Sequence, residues 1–147
     1  MRRLPVARAA SLLLVVAVAL PLLLLSGCGG DSNARLALIG TWLLAYRRSG
    51  SDSWQPVPSD ETVYLSFFAN NTYRRDRYIG QDRVSFRSGT WVREGSYLTL
   101  RINDSSTSTE IGTYREGQYS LNGNEDRLTI HWFEFDPPDE YERYDAY

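Results

Sequence analysis

The stretch that decides the fold runs from Val84 to Asn103 and reads VSFRSGTWVREGSYLTLRIN. Its second half alternates, with an apolar side chain at every second position from Leu98 to Ile102, which is the period of a strand with one buried face. Glu94-Gly95-Ser96 interrupts the pattern with turn-forming residues. The stretch therefore predicts two antiparallel strands, 84–93 and 97–103, joined by a tight turn.

Similar strand patterns recur on both sides of this hairpin, at residues 39–46, 62–68, 72–79, 109–119, 127–135 and 140–146. Turn signals separate most of them, and Asn122-Gly123-Asn124 is the strongest. Eight sequential strands predict an all-β fold, an eight-stranded antiparallel up-and-down β-barrel, because closure pairs the two edges that an open sheet exposes. An immunoglobulin-like sandwich is the alternative, but the chain has no cysteine pair to support it.

Composition limits both the size and the partners of this domain. The 147 residues include 16 basic side chains, all of them arginine, and 18 acidic ones, for a net charge of −2. Without the first 27 residues, which hold three of the arginines, the balance is −5. A net-acidic domain of about 112 residues suits one core and argues against nucleic acid, which requires a basic face.

The N-terminus carries the chain's only cysteine. Arg2 and Arg3 precede an apolar run from Leu12 to Leu25, and Leu25-Ser26-Gly27-Cys28 follows. This order resembles the lipobox of bacterial lipoprotein precursors. The resemblance implies a signal peptide at 1–27, cleavage before an acylated Cys28, and a flexible tether at 28–35 before the domain at 36–147. It also implies membrane anchoring at the bacterial cell envelope, at the outer membrane where the host has one.

Two short motifs sharpen the fold prediction. Gly40-Thr41-Trp42 opens the first strand and Gly89-Thr90-Trp91 recurs in the fourth. These motifs resemble the Gly-x-Trp signature of lipocalins and of lipocalin-like domains on bacterial lipoproteins. The resemblance implies a lipocalin-like barrel in which Trp42 closes one end and an arginine of the last strand, Arg143, packs across it. A guanidinium over an indole stabilises by about 0.5–2 kcal/mol, and this pair is expected to be structural.

The sequence offers no catalytic constellation. His131 is the only histidine and lies within a strand, without a nucleophile and an orienting acid beside it. We therefore expect no enzyme, no cofactor and no metal site. The acidic turn at Asp136 and Asp139 has carboxylates that suit calcium, but its spacing favours a solvated turn.

Candidate ligand-binding residues lie in three places. If Tyr73 points inward, alternation sends Arg75 and Arg77 inward too, where they would suit an anionic head group such as a fatty-acid carboxylate. The other register places Arg74, Asp76 and Tyr78 inside, and a third possibility leaves both charges at the mouth in solvent. Trp54, in the long segment after the first strand, and Trp91 complete the candidate set, although Trp91 also fits the core.

Two functions from different classes follow. The first is a lipid-anchored, lipocalin-like envelope protein that binds a small hydrophobic or amphipathic ligand in a cavity lined by aromatic side chains. The alternative is a filled barrel without a sizeable cavity, which acts as a non-enzymatic protein-interaction or structural module at the envelope. The tyrosine-rich C-terminal segment 139–147 favours the alternative.

Overall fold

The computed structural model describes residues 35–49, 53–134 and 138–144, which fall within one compact unit, Arg35–Tyr147. The predicted signal peptide, the lipidated Cys28 and most of the tether lie outside the described residues. Within these ranges, no helix is long and apolar enough to span a bilayer.

Nine antiparallel strands follow a short helical turn at residues 35–38. They are β1 (Gly40–Ser49), β2 (Ser53–Pro56), β3 (Glu61–Phe67), β4 (Thr72–Ile79), β5 (Asp82–Glu94), β6 (Tyr97–Ser105), β7 (Tyr114–Leu121), β8 (Arg127–Trp132) and β9 (Asp139–Arg143). Strands β3 to β9 pair in sequence order, and β9 pairs back with β1. Eight strands thus close into an antiparallel barrel, which confirms the predicted fold class.

The ninth strand, β2, is an addition that the sequence pattern does not indicate. It forms a hairpin with the last four residues of β1, whereas β3 pairs with the first four, so both lie along the same edge of β1. The segment from Arg47 to Asp60 lies between the predicted strands 39–46 and 62–68 and is largely polar. Its short strand lengthens the barrel wall without adding to the eight strands that close it.

The predicted sixth strand, 109–119, begins too early. Residues Ser108–Glu110 form a 3₁₀ turn, and β7 starts only at Tyr114. Gly112 explains the difference, because its φ of +87° lies in the left-handed region that breaks a strand. The carbonyl of Glu110 also accepts a 2.6 Å hydrogen bond from the Thr113 hydroxyl, which stabilises the turn.

A register shift in β1 changes which of its residues face inward. Trp42 and Leu44 are buried, and regular alternation along β1 would place Tyr46 on the same face. The pairing with β9 shifts between Leu44 and Tyr46, as in a β-bulge. Because a bulge adds one residue, the next inward position is Arg47 and not Tyr46.

The apolar core fills the end of the barrel where β1 begins, which we call the closed end. The largest fully buried side chains include Trp42, Phe67, Trp91 and Tyr141. Leu38, from the helical turn, is fully buried in the same cluster. The turn therefore covers this end of the barrel, and the opposite end is called the cavity end.

Gly89 is required where β5 bends toward β6. A Cβ atom built on Gly89 would lie 1.8 Å from the carbonyl oxygen of Arg101. The β5–β6 register shifts next to this glycine, between Ser88 and Gly89. The bulge therefore brings the two backbones closer than any side chain permits.

Candidate binding site: an arginine-lined cavity

A cavity of about 420 Å³ lies at the cavity end of the barrel. Five of the chain's 16 arginines line it, together with one serine and one aspartate. The lining residues are Arg47, Arg75, Arg77, Ser85, Arg87, Arg115 and Asp139. A volume of this size falls within the range of small-molecule sites, roughly 300–1,000 Å³.

Strand alternation places these side chains. In β4, Tyr73 is 2% exposed in the core, and the next two inward positions toward the cavity end are Arg75 and Arg77. In β9, the inward neighbour of buried Tyr141 is Asp139. The same inward faces are thus apolar at the closed end and charged at the cavity end.

Glu61 joins two of the arginines. Its carboxylate accepts hydrogen bonds from Arg47 at 2.9 and 3.2 Å and from Arg77 Nε at 2.7 Å, and its side chain is only 6% exposed. Burial raises the pKa of Glu61, but the bonds from Arg77 and Arg47 outweigh burial, so the pKa is lowered from its ordinary value. This ion triplet holds one wall of the cavity.

Glu110, from the 3₁₀ turn, holds a further arginine. Its carboxylate accepts hydrogen bonds from two nitrogens of Arg87 and from the Ser105 hydroxyl at 2.7 Å. The bond from Arg87 is the main reason that the pKa of Glu110 falls to about 2, against the opposing effect of burial. The turn that interrupts the predicted sixth strand therefore supplies a counter-charge to the site.

Asp139 is the carboxylate in the cavity lining itself. It accepts a 3.1 Å hydrogen bond from the Tyr141 hydroxyl and lies 3.9 Å from Arg47 Nε. Burial raises the pKa of Asp139 above its ordinary value, and the positive charges of Arg75 and Arg47 only partly offset this. Of the carboxylates Glu61, Glu110 and Asp139, only Asp139 is in an environment that disfavours its ionised form.

The structure places two of the five sequence-predicted ligand residues in the cavity lining, Arg75 and Arg77. The neighbouring Arg74 has a side chain that is 49% exposed and pairs with Asp76 at 2.6 Å. The register that places Arg74 and Asp76 inside is therefore wrong. The inward register, which follows from Tyr73, is the one observed.

The other three predicted ligand residues do not line this cavity. Tyr73 lies in the packed core, where burial raises its pKa to about 12. Trp91 is also in the core, in an edge-to-face contact with Phe67 at 5.3 Å. Trp54 is on β2 and is 40% exposed. Tyr73 lies near enough to Arg87, Arg115 and Arg75 for their positive charges to oppose this rise in its pKa, but none of the three aromatic side chains is part of the cavity lining.

The predicted end-closing pair lies at the closed end. The Arg143 guanidinium is 4.5 Å from the centroid of the Trp42 ring. It also donates to the carbonyls of Ala37 at 2.5 Å, Ile39 at 3.4 Å and Glu125 at 3.0 Å. The Trp42 indole donates to Leu38 at 2.9 Å. Both side chains thus bind the helical turn to the barrel.

Sequence reasoning missed Arg47, Arg87, Arg115 and Asp139 as members of one site. Alternation within β5 would have found Arg87, because Arg87, Gly89 and Trp91 share a face. Alternation within β7 likewise relates Arg115 to buried Tyr119. Arg47 carried no such signal, since its inward position depends on the bulge.

The described residues give little support for a catalytic histidine or a metal site. His131 is exposed on β8. No three His, Cys, Asp or Glu side chains within residues 35–49, 53–134 and 138–144 come together in a way that suits a metal ion. The site is therefore defined by guanidinium groups, which bind oxyanions.

No protein-family model matches this chain, and no curated protein is significantly similar to it.

Proposed function

We propose that this chain is a lipid-anchored bacterial envelope protein whose lipocalin-like barrel binds a small amphipathic molecule by its anionic group. It is proposed as a binding protein and not as an enzyme. The observation that carries the proposal is the concentration of five arginines around one cavity in a domain whose overall charge is negative. Such a cavity attracts anions even though the protein as a whole repels them.

The packing of the core indicates how a ligand would enter. The largest aromatic side chains, which were expected to line an open cavity, are instead buried in the core, as Trp42, Phe67 and Trp91 show. The cavity lining is charged, so a ligand would enter with its anionic group first and leave its apolar part toward the cavity mouth. The lining thus differs from the aromatic-lined cavity that was expected, and a cavity of about 420 Å³ supports ligand binding over a completely filled barrel.

Calorimetric titration with two amphiphiles of equal chain length tests the proposal. Decanoate is expected to bind, and decyltrimethylammonium is not, because the two differ in the sign of their charge. Arg75→Gln should weaken decanoate binding, whereas Arg74→Gln is the matched control on the outer face of the same strand. Equal binding of the two amphiphiles would contradict the proposal.

A protein-interaction module is the second candidate, and one surface feature favours it. Tyr97 and Phe133 are each about half exposed, and their rings contact one another at 6.1 Å on the outside of the barrel. Exposed aromatic side chains are common in protein interfaces. If this face binds an envelope protein, cross-linking from position 133 in intact cells should yield one discrete adduct that Tyr97→Ser removes.

A further inference from the structure

The described chain enters the barrel at its closed end. Arg35, the first described residue, donates a 3.0 Å hydrogen bond to the carbonyl of Ala69 and a second bond to the Asn71 side chain. Its guanidinium also lies 5.7 Å from the centroid of the Trp91 ring. These contacts join the start of the domain to the turn between β3 and β4, which lies at the closed end. The segment that leads back to Cys28 therefore leaves the domain from this end.

The length of the chain limits how far this end can lie from Cys28. Arg35 is seven positions after Cys28, and a fully extended chain of that length spans at most about 25 Å. The ten residues of β1 cover about 30 Å along the strand from the closed end toward the cavity end. An acylated Cys28 would therefore let the closed end rest on the membrane surface. The cavity end could reach that surface only if the segment were almost fully extended along the barrel wall.

Two exposed apolar side chains flank the point of entry. Leu36 is 63% exposed, more than any other large hydrophobic side chain in the described ranges, and Phe68 is 46% exposed. Leu36 follows Arg35 directly, and Phe68 precedes Ala69, whose carbonyl accepts the bond from Arg35. Apolar side chains bind a membrane by entering the boundary between its head groups and acyl chains, and a neighbouring arginine keeps its charge in water. The point of entry therefore suits the interfacial layer of a bilayer.

The charges at the closed end indicate what kind of contact this would be. The turn between β7 and β8 lies at the same end, since the carbonyls of Glu125 and Asp126 accept hydrogen bonds from Arg143. Both of these acids are exposed. Their carboxylates would repel an anionic surface, so contact with a membrane would depend on apolar side chains and not on lipid charge. Two such side chains bind a membrane weakly by themselves, and a covalent anchor would raise their effective concentration at its surface.

We propose that the closed end of the barrel docks on the bilayer that holds the acyl chains of Cys28, with Leu36 and Phe68 in the interfacial layer. The inference rests on the lipid anchor of the proposed function and adds the orientation of the barrel on the membrane. The cavity then opens away from the bilayer. Its ligand is therefore exchanged with the aqueous phase and not with the lipids of the anchoring membrane.

Fluorescence of the full acylated chain in phosphatidylcholine vesicles tests this orientation. Ala69→Cys introduces a thiol in the exposed turn between β3 and β4, and Gln81→Cys introduces one in the exposed turn between β4 and β5, at the cavity end. Each thiol is labelled with nitrobenzoxadiazole, whose emission shifts to the blue in an apolar environment. The label at position 69 should show this shift and should be quenched by lipids with brominated acyl chains. The label at position 81 should show neither change and should be quenched by acrylamide, which stays in water.

Removal of the two apolar side chains tests their role. Leu36→Ser and Phe68→Ser together should abolish quenching of the label at position 69 by brominated lipids, while the acylated chain still floats with the vesicles. Val84→Ser is the matched control, because Val84 is also 46% exposed but lies next to the cavity residue Ser85. Quenching should be unchanged in this control. If the double variant does not fold, the comparison of positions 69 and 81 in the otherwise unchanged chain still decides the orientation.

The outcomes separate the docking surface from the anchor. Quenching by brominated lipids at position 69 alone supports the proposal. Quenching at position 81 alone, at both positions or at neither, in a chain that is acylated and floats with the vesicles, would overturn the docking surface and leave the lipid anchor intact. A chain that is not acylated and does not float would show that both the anchor and the docking surface are wrong.

Discussion

The guanidinium of Arg143 lies over the indole ring of Trp42, 4.5 Å from its centroid, and joins the last strand of the barrel to the first. The same guanidinium donates to carbonyls on either side of the barrel closure, including those of Ala37 and Glu125. The contact therefore combines a cation–π interaction with hydrogen bonds that hold the helical turn over the closed end.

Replacement of Arg143 is expected to destabilise the barrel without affecting the cavity. Arg143→Ala removes the cation–π contact and leaves the carbonyl of Ala37 without this donor, so the free energy of unfolding should fall by about 2–4 kcal/mol. Chemical denaturation measures this loss. Arg127→Ala is the control, because the Arg127 side chain is 53% exposed and its contacts to two glutamates are 3.5 Å long. Equal stability of the two variants would remove the structural role of Arg143.

Substitution of Gly89 tests how closely the backbones of β5 and β6 approach one another. Gly89→Ala places a Cβ atom against the backbone at Arg101 and Asn103, and backbone cannot move aside as a flexible side chain can. We expect a loss of at least about 2 kcal/mol, in the range of severe overpacking, or failure to fold. Gly123→Ala is the matched control, since nothing lies within 4 Å of a Cβ there. Thermal unfolding that is equally unaffected in both variants would show that the bulge relaxes freely.

The lowered pKa of Glu110 predicts that part of the folding stability is lost in acid. Its pKa is lowered to about 2 from 4.5, so the stability that it contributes is present above pH 4.5 and is lost as the pH falls toward 2. Glu110→Gln should lower stability at neutral pH by about 1–2 kcal/mol, less than the pKa change alone implies, because the carboxylate is 27% exposed.

Denaturation at pH 7 and at pH 3 measures this effect. The difference between the parent protein and Glu110→Gln should shrink at the lower pH. The exposed Glu116→Gln serves as the control, and a constant difference between parent and Glu110→Gln across this range would contradict the assignment.

Asp139 is expected to oppose both folding and anion binding at neutral pH. Because its pKa is raised by burial, the ionised form costs stability, and that cost is relieved as the pH falls through the raised pKa toward the ordinary value of 3.8. Asp139→Asn removes one negative charge from the cavity lining. Anion affinity should rise by about three- to tenfold, since a nearby like charge is removed, and stability at pH 7 should not fall. Calorimetry with decanoate measures the affinity, and weaker binding by the variant would count against the cavity as the anion site.

Cys28 tests the proposed membrane anchor. Cys28→Ala should leave an unprocessed precursor without acyl chains, because the sulfur that receives the lipid is absent. Metabolic labelling with a radioactive fatty acid, together with the mass of the mature chain, measures both steps. Normal cleavage and labelling of Cys28→Ala would disprove the lipoprotein assignment.

The hairpin at residues 84–103 shows what the local alternation of apolar and polar residues can predict. The alternation around Leu98, Leu100 and Ile102 predicted a strand with one buried face, and all three residues are buried in β6. The same rule predicted the inward register of Arg75 and Arg77. These predictions succeeded because the side-chain period of a strand depends on the local backbone alone.

Local pattern failed where the chain departs from a regular strand. Gly112 and the turn at Ser108–Glu110 interrupt the predicted sixth strand, and the bulge after Leu44 reverses the faces of β1. Such departures depend on pairing with a neighbouring strand or on a single backbone angle. The hydrophobic pattern contains little information about either.

By itself, the sequence determined the strand periodicity, the number of strands that close the barrel and the inward face of most strands, because these follow from local alternation and from the need to pair sheet edges. Only the tertiary structure decided which inward-facing side chains line the same cavity. Arg47, Arg75, Arg115 and Asp139 lie on four different strands, and closure of the barrel brings them around one cavity. The charge interactions among these side chains depend on the distances between them in the folded protein, and spacing along the sequence does not specify those distances.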